Sequence, residues 1–470
     1  HGRIALPNIS TKPWNDGVEL TVEAEPVKIS TLNFTVPNAQ IPEAVREIIF
    51  TDKEFGISGS FDGSIQTMGG LSDPDTMELM NAFLPAVGDK GSKTTGYWSY
   101  SALNAWNQPA IQKCSDGTGD LAGVVTTNGT AVTNPAATKS ARIVDLLTEA
   151  GAIPVFTTTM AELAIGAVTD NAHTGVCVTP ANSNLHAGGS SGGAGASVAA
   201  GWVPFSLGSD TMGSVRIPAA YCGVFGYKPS SQIFDRSGLT PLYPPMDTIG
   251  IIANTVADIQ LVTQACANSN WSGDAQDSVT LLIPSFIKEA HLSVLANFNN
   301  QLAMIRDSAS ENGFAVLDLE LDLDLGLLRR RGLLLCEVTA WNEFSASGNI
   351  PEGISEQVAG LLRYGGGASA EKVADAREVL ESTLKLVSSE LAQFPGHPIL
   401  VLPVTPFPNP KLSATAEDLA QSADFTCLAN ICDLPAISIP AAAQAIQLVA
   451  RNGDDHRLLE VAETIYSILK

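Results

Sequence analysis

The stretch "GGSSGGAGASVAAGWVPFSLGSDTMGSVRIPA", Gly188 to Ala219, holds eight glycines and six serines in thirty-two residues. Glycine at this density marks turns with positive φ, or places where backbone must approach something closely. Three chemistries fit such a segment. A phosphate cradle needs the G-x-G-x-x-G order or a closing Lys-Thr, and Gly188 to Gly193 has neither. The fragment "GDKGSKTT" at Gly88 fails as well, because Ser92 separates Gly91 from Lys93. A hydrolase elbow, G-x-S-x-G, matches at both Ser190 and Ser191, but any glycine-serine run would match. That elbow also requires an apolar strand directly before it, and "NSNLHAGG" reads as no strand. The third chemistry is a serine nucleophile that works without histidine. Serine needs a base within hydrogen-bond reach. Lysine in a dry pocket can be that base, because desolvation disfavours the ammonium. A second serine can pass the proton on, and backbone N–H groups in "DTMGS" can converge on the oxyanion.

Outward from this stretch, apolar strands alternate with helices. "WVPFSLG", from Trp202, reads as a strand, and "DTIGIIANTVADIQLVTQA", from Asp247, as strand then helix. "VTLLIPSF", "FAVLDLEL" and "PILVLPVTPF" read as further strands, and "KEAHLSVLANFNNQLAMIRDSASENG" as a long amphipathic helix. Upstream, "KSARIVDLLTEAG" places Ile143, Leu146, Leu147 and Ala150 on one helical face with Gly151 as the stop, and "AIPVF" follows as a buried strand. The alternation predicts an α/β fold with a large mixed, mostly wound sheet, helices covering both faces. Val18 to Val36 alternates apolar and polar residues and predicts two strands broken near Pro26; Pro74 to Val87 predicts a short helix. "YGGGA" at Tyr364 to Ala368 breaks an otherwise helical region, Ser355 to Leu391.

Composition narrows the function classes. Of 470 residues, 45% are apolar and 16% charged, which fills a sizeable core. A net charge of −23 argues against nucleic acid or an anionic membrane surface as partner, since both need a basic face. No apolar run reaches the eighteen or so residues that span a bilayer. Seven scattered cysteines without a C-x-x-C pair predict buried free thiols rather than a disulfide framework or a zinc site. No metal or cofactor is expected. Four N-x-[ST] sequons, at Asn8, Asn33, Asn128 and Asn270, arise often by chance, and a chain opening on His1 reads as trimmed. The compartment stays open between cytoplasm and secretion.

"GGSSGG" followed by "GSDTMGSVRIPAAYCGVFGYKPS" resembles the signature of the amidase signature family of serine hydrolases. Ser190 and Ser214 stand twenty-four residues apart, the family's separation. "LTPLYPPMDTIGIIANTVADI", "LVLPVTPFPNP" and "QLVARNGDDHRLLEVA" continue the resemblance, and "ARIVDLLTEAGAIPVFTTTMAEL" precedes it; "YCGVFGYKPS" and "GLTP" are most similar to the plant indole-acetamide amidase branch. The likeness is strong over 111–267, thinner over 398–463 and absent before about Asn104. It implies an N-terminal extension over 1–60, partly β, and an amidase signature domain over 61–470.

The resemblance implies Ser214 as nucleophile and Ser190 as a bridging serine behind a cis Gly189–Ser190 peptide. Lys113, seventy-seven residues before Ser190, is the implied base, although Cys114 stands where the family has aspartate. Backbone N–H groups of Thr211, Met212, Gly213 and Ser214 would hold the oxyanion. Met212 replaces a common glycine and either adds bulk on the acyl side or packs into the core. Gly189, Ser191, Asp210 and Arg216 would support the loops; His186 is assigned a structural place. Two S-x-x-K matches, Ser285–Lys288 and Ser382–Lys385, lack the partner motifs of penicillin-binding enzymes. The expected activity is hydrolysis of a small-molecule amide, a homodimer being a permitted assembly. An esterase with the same residues and a non-catalytic scaffold are the alternatives.

Overall fold

The structure, a computed structural model, describes residues 10–14, 17–24, 29–36, 124–132, 135–268, 278–345, 348–415, 419, 421–442 and 444–470. Lys113, Cys114 and the helix expected over Pro74 to Val87 lie outside them. The chain divides into two compact units. One comprises residues 1–113, 151–157 and 201–203, and the other the remainder. In the first unit β1 (Ser10–Trp14), β2 (Gly17–Ala24) and β3 (Ile29–Val36) form an antiparallel sheet, Leu20 opposite Phe34 and Val22 opposite Leu32. The two strands expected around Pro26 are β2 and β3. "AIPVF", in contrast, joins no ladder and Ile153 is exposed. Pro154 withholds a donor that a central strand would need.

The second unit opens with α1 (Arg142–Glu149), whose Ile143 and Leu147 are buried and which stops before Gly151, at φ +93°. Two small hairpins follow, β4 (Asp170–Asn171) with β5 (Gly175–Val176) and β6 (Val178–Thr179) with β7 (Asn182–His186). The segment "NSNLH" is therefore a strand, contrary to the reading of its polar sequence. Its first three residues are exposed and its ladder is with the hairpin partner, so it is not the apolar core strand an elbow requires.

The main sheet is built from β8 (Phe205–Asp210), β9 (Phe225–Lys228), β10 (Thr248–Ala253), β11 (Val279–Pro284), β12 (Phe314–Leu319), β13 (His397–Pro403), β14 (Ala436–Ile439) and β15 (Ile446–Ala450). Their order is β12-β11-β13-β15-β14-β9-β10-β8. Within this sheet only β11 with β12 and β11 with β13 are parallel; every other pairing is antiparallel. The sheet is thus large and mixed, with the wound part confined to three strands. β10 and β11 are buried at every position, so both faces are covered.

The helices before, between and after these strands are α2 (Gly192–Ala199), α3 (Arg216–Cys222), α4 (Val256–Cys266), α5 (Leu292–Ala309), α6 (Leu325–Phe344), α7 (Glu356–Gly366), α8 (Ala370–Leu391), α9 (Cys427–Ile431) and α10 (Asp455–Leu469). Side chains of α6, α8 and α9 pack with Leu282, Leu400, Leu402 and Val449 of the strands into one apolar cluster. The glycine-rich break separates α7 from α8, where Ser369 caps α8 by accepting the Lys372 N–H. Six cysteines, Cys177, Cys222, Cys266, Cys336, Cys427 and Cys432, are free and buried. No helix among the described residues is long and apolar enough to cross a membrane.

Candidate active site

The strand β8 delivers Asp210 to a turn, residues 211 to 215, that leads straight into α3. Asp210 and Arg216 are both fully buried. Asp210 Oδ1 accepts from the Gly213 N–H at 2.9 Å and from Arg216 Nη2 at 2.9 Å; Oδ2 accepts from the Val215 N–H at 3.1 Å and from Arg216 Nε at 3.1 Å. One carboxylate therefore shapes the turn and holds the Arg216 guanidinium through two bonds. Burial pushes the Asp210 carboxyl up, but the Arg216 charge and hydrogen bonds, helped by Lys228 and Asn430, outweigh it and hold the group at about 2. Arg216 donates further to Asn430 Oδ1 at 2.6 Å and to Gln447 Oε1 at 3.1 Å, four of its five N–H groups in all. Asn430 Nδ2 donates to Asp210 O at 2.8 Å and to Met246 O at 3.1 Å. A buried ion pair costs desolvation unless its other valences are filled, and here all but one of the guanidinium donors are filled.

The glycine-rich loop lies against this turn. The Ser191 N–H donates to Ser214 O at 3.2 Å, joining the two serine motifs through backbone. Ser190 is fully buried behind a cis Gly189–Ser190 peptide, and its carbonyl accepts from the Ala161 N–H at 2.9 Å and Thr169 Oγ1 at 3.0 Å. Ser190 Oγ is sealed from solvent with no hydrogen-bond partner among the described residues. The glycines explain themselves by proximity. A Cβ on Gly189 would sit 2.6 to 2.8 Å from the Val168 backbone, and one on Gly193 would meet Thr159 O at 2.6 Å. The Gly192 N–H, at the start of α2, donates to Thr169 Oγ1 at 3.0 Å, which fixes the helix entry behind the serines.

Ser214 is half-buried, so unlike the sealed Ser190 it keeps contact with solvent. The Gly213 N–H is occupied by Asp210, whereas the N–H groups of Thr211, Met212 and Ser214 have no partner among the described residues. Gly213 itself runs at φ +123°, and a Cβ there would collide with the Thr426 side chain. Thr426 Oγ1 donates to Met212 O at 2.6 Å. Met212 packs against three apolar clusters, so its side chain belongs to the core. Neither Thr426 nor Asn430 nor Gln447 was visible in the sequence as part of this site. Each reaches residues 210 to 216 from more than two hundred positions away; Gln447 opens the stretch "QLVARNGDDHRLLEVA", but nothing in that stretch points to Arg216.

Other candidates fall elsewhere. His186 is buried, burial lowers its basicity against the pull of Asp170, and it makes no hydrogen bond to either serine. Ser285 opens a short 3-10 turn and accepts the Leu321 N–H, while Ser382 lies inside α8. Lys228 is fully buried, donates to Pro229 O at 2.6 Å, and burial together with Arg216 lowers its amine to about 8 against three nearby carboxylates. Among the described residues no cluster of three His, Cys, Asp or Glu side chains is arranged to hold a metal ion. Beside Thr211 and Ser209 opens a small cleft, lined also by Asn128, Leu163, Pro241 and Phe344.

The family model described as Amidase matches residues 119–300. Amidase 1 of Oryza sativa subsp. japonica is 28% identical over 391 residues, covering 74% of this chain and 88% of the rice protein. A glutamyl-tRNA(Gln) amidotransferase subunit of Thermus thermophilus is 30% identical over 364 residues, covering 66% of this chain and 74% of its own length. Among solved structures, a crystal structure of an amidase superposes with a TM-score of 0.69 at 24% identity, over 84% of this chain and 95% of that one. The 6-aminohexanoate cyclic dimer hydrolase superposes with a TM-score of 0.67 at 20% identity, over 84% and 93%. The structural matches establish the fold and the sequence relatives the kinship: the chain belongs to the amidase signature family, whose hydrolases act on amide carbon–nitrogen bonds.

Proposed function

We propose that the chain hydrolyses a carboxylic amide through an acyl-enzyme on Ser214, with Ser190 and Lys113 relaying the proton. The observation that carries this reading is the pairing of a half-exposed Ser214 with a sealed, unpartnered Ser190 hydroxyl on a loop tied to it by backbone. A buried hydroxyl with nothing to bond is costly and calls for a reason. A place in a proton relay is such a reason. Ser214 Oγ attacks the carbonyl carbon while its proton passes to Ser190 Oγ, which gives its own to the neutral amine of Lys113. The N–H groups of Thr211, Met212 and Ser214 receive the developing oxyanion, Gly213 supplying the turn rather than a donor. The relay then returns the proton to the leaving nitrogen, and water releases the acid. Asp210, Arg216, Gly189 and Ser191 hold the two loops in register.

The reading is tested by turnover of simple primary amides. Ser214→Ala is expected to abolish it, and Ser190→Ala and Lys113→Ala to lose several orders of magnitude; full activity in either of the last two would reject the relay. The rate is expected to fall toward low pH as the lysine base gains a proton, and a flat profile down to about pH 5 would contradict that base.

A further inference from the structure

Lys228 closes β9, a strand that is buried at every position and pairs with β14 and β10. Its side chain is itself fully buried. A lysine ammonium carries three donors and leaves water cheaply only where acceptors replace it. Among the described residues Lys228 Nζ donates to Pro229 O at 2.6 Å and pairs with no carboxylate. Two donors of the charged form are left over, so the proton is loosely held.

Charged groups face this amine from four other places in the fold. Asp210 stands at the end of β8, Arg216 at the start of α3, Asp433 just after α9 and Asp455 in the first turn of α10. The ladder neighbours β14 and β10 contain no charged residue. Burial first, and the Arg216 charge second, lower the Lys228 amine to about 8 against the pull of Asp210, Asp433 and Asp455. Asp433 and Asp455 are already engaged on the chain that follows β9. Asp455 accepts from Tyr227 Oη at 2.6 Å, the Ser230 N–H at 2.8 Å and Ser230 Oγ at 2.5 Å; Asp433 accepts from the Ser231 N–H at 2.9 Å and Ser231 Oγ at 2.7 Å. Neither can close on the ammonium without giving up these bonds. Tyr227, on the same strand, keeps its proton, because burial and Asp455 push its phenol up.

The same ammonium acts on the turn that carries Ser214. Its charge is one of those that hold the Asp210 carboxyl down, and Asp210 accepts from the Gly213 and Val215 N–H groups of that turn. A unit charge in a dry interior acts well beyond contact distance. A buried positive charge within reach of Asp210 favours negative charge developing on the neighbouring N–H groups, and its disappearance disfavours it.

From the proposed serine chemistry and this placement, we infer that Lys228 is a positioning residue whose ammonium supplies positive potential to the turn carrying Ser214, so that its deprotonation sets the alkaline limit of the reaction. It touches no substrate and acts through Asp210 and Arg216. The base of the relay gives the low-pH limb of the rate, and Lys228 gives the high-pH limb.

The test is the rate at which a fluorophosphonate labels Ser214, followed against pH in the intact protein and two variants. In the unaltered protein the rate is expected to fall about three- to tenfold between about pH 7 and about pH 9.5, the scale of one buried charge acting on an oxyanion. Lys228→Met, whose unbranched side chain follows the lysine stem, should label at the lowered rate throughout and lose the alkaline limb. Asp433→Asn suits the left-handed backbone at that position, φ +51°, and removes one carboxylate that faces the ammonium, so the limb should move to lower pH. The unaltered and Asp433→Asn profiles decide the matter even where Lys228→Met does not fold. A flat alkaline arm in the unaltered protein, an intact limb in Lys228→Met, or a limb that Asp433→Asn leaves in place or moves upward overturns the role of Lys228. Failure to label Ser214 at any pH instead overturns the serine mechanism on which that role rests.

Discussion

Replacing Asp210 by Asn keeps the shape of the side chain and removes its charge. Arg216 then stays at zero exposure with only Asn430 and Gln447 as partners, and the new amide turns donors toward Arg216 Nε or the Gly213 and Val215 N–H groups. Breaking a buried pair from one side costs about 3–5 kcal/mol, a large share of the roughly 5–15 kcal/mol that holds a domain together. Asp210→Asn is therefore expected to lose about 3–5 kcal/mol in chemical denaturation followed by tryptophan fluorescence. Arg216→Met in the same background should return part of this, because the uncompensated guanidinium goes with it, for a coupling of about 2 kcal/mol in the double-mutant cycle. Because the buried carboxylate bonds the backbone of the turn that carries Ser214, kcat should fall further than KM rises in any Asp210→Asn protein that remains folded. Strictly additive losses, or a single-variant loss under about 1 kcal/mol, would refute the claim that this pair organises the turn carrying Ser214.

Two further outcomes follow from the same burial. The folded state holds Asp210 at about 2, below its ordinary 3.8, so its contribution to stability is complete above 3.8 and is lost as pH falls through 2. The span is worth about 2 kcal/mol, and Asp210→Asn should flatten that part of the acid denaturation curve; an unchanged acid slope contradicts the assignment. Burial pushes the thiols of Cys222 and Cys427 up to about 12 and that of Cys266 to about 11. Alkylation of the folded protein at pH 8 should accordingly spare Cys177, Cys222, Cys266, Cys336, Cys427 and Cys432, all of which should react after denaturation; labelling of any of the six before unfolding would count against the packing described.

The parts of this molecule that sequence makes legible are those with local signals. Strands β10 to β13 are runs of six or seven apolar-rich residues next to helical periodicity, and Ser190 and Ser214 lie in short motifs at a fixed spacing. Strands β9 and β14 are only four residues long, too short for any period to show, and they exist because neighbours on both sides pair with them. Residues 182 to 186 are polar yet form a strand because a hairpin partner and the Pro410 carbonyl take up their backbone. Pro154 and an exposed Ile153 undo the apolar look of "AIPVF". At the site, composition shows which groups can donate but not which are already spent: the Gly213 N–H goes to Asp210, a pairing that only the folded turn creates. Asn430, Gln447 and Thr426 join the site across more than two hundred residues, and although Gln447 opens a stretch that carries the resemblance, no local pattern ties any of the three to the turn after β8.

Ser214 as an activated nucleophile is tested most directly by incubating the intact protein with a fluorophosphonate and mapping the adduct by peptide mass spectrometry. The account predicts one adduct, on the peptide containing Ser214, formed rapidly in the native protein, strongly slowed in Ser190→Ala and absent after denaturation. A native protein that takes up no label, or takes it up on a different serine, contradicts it.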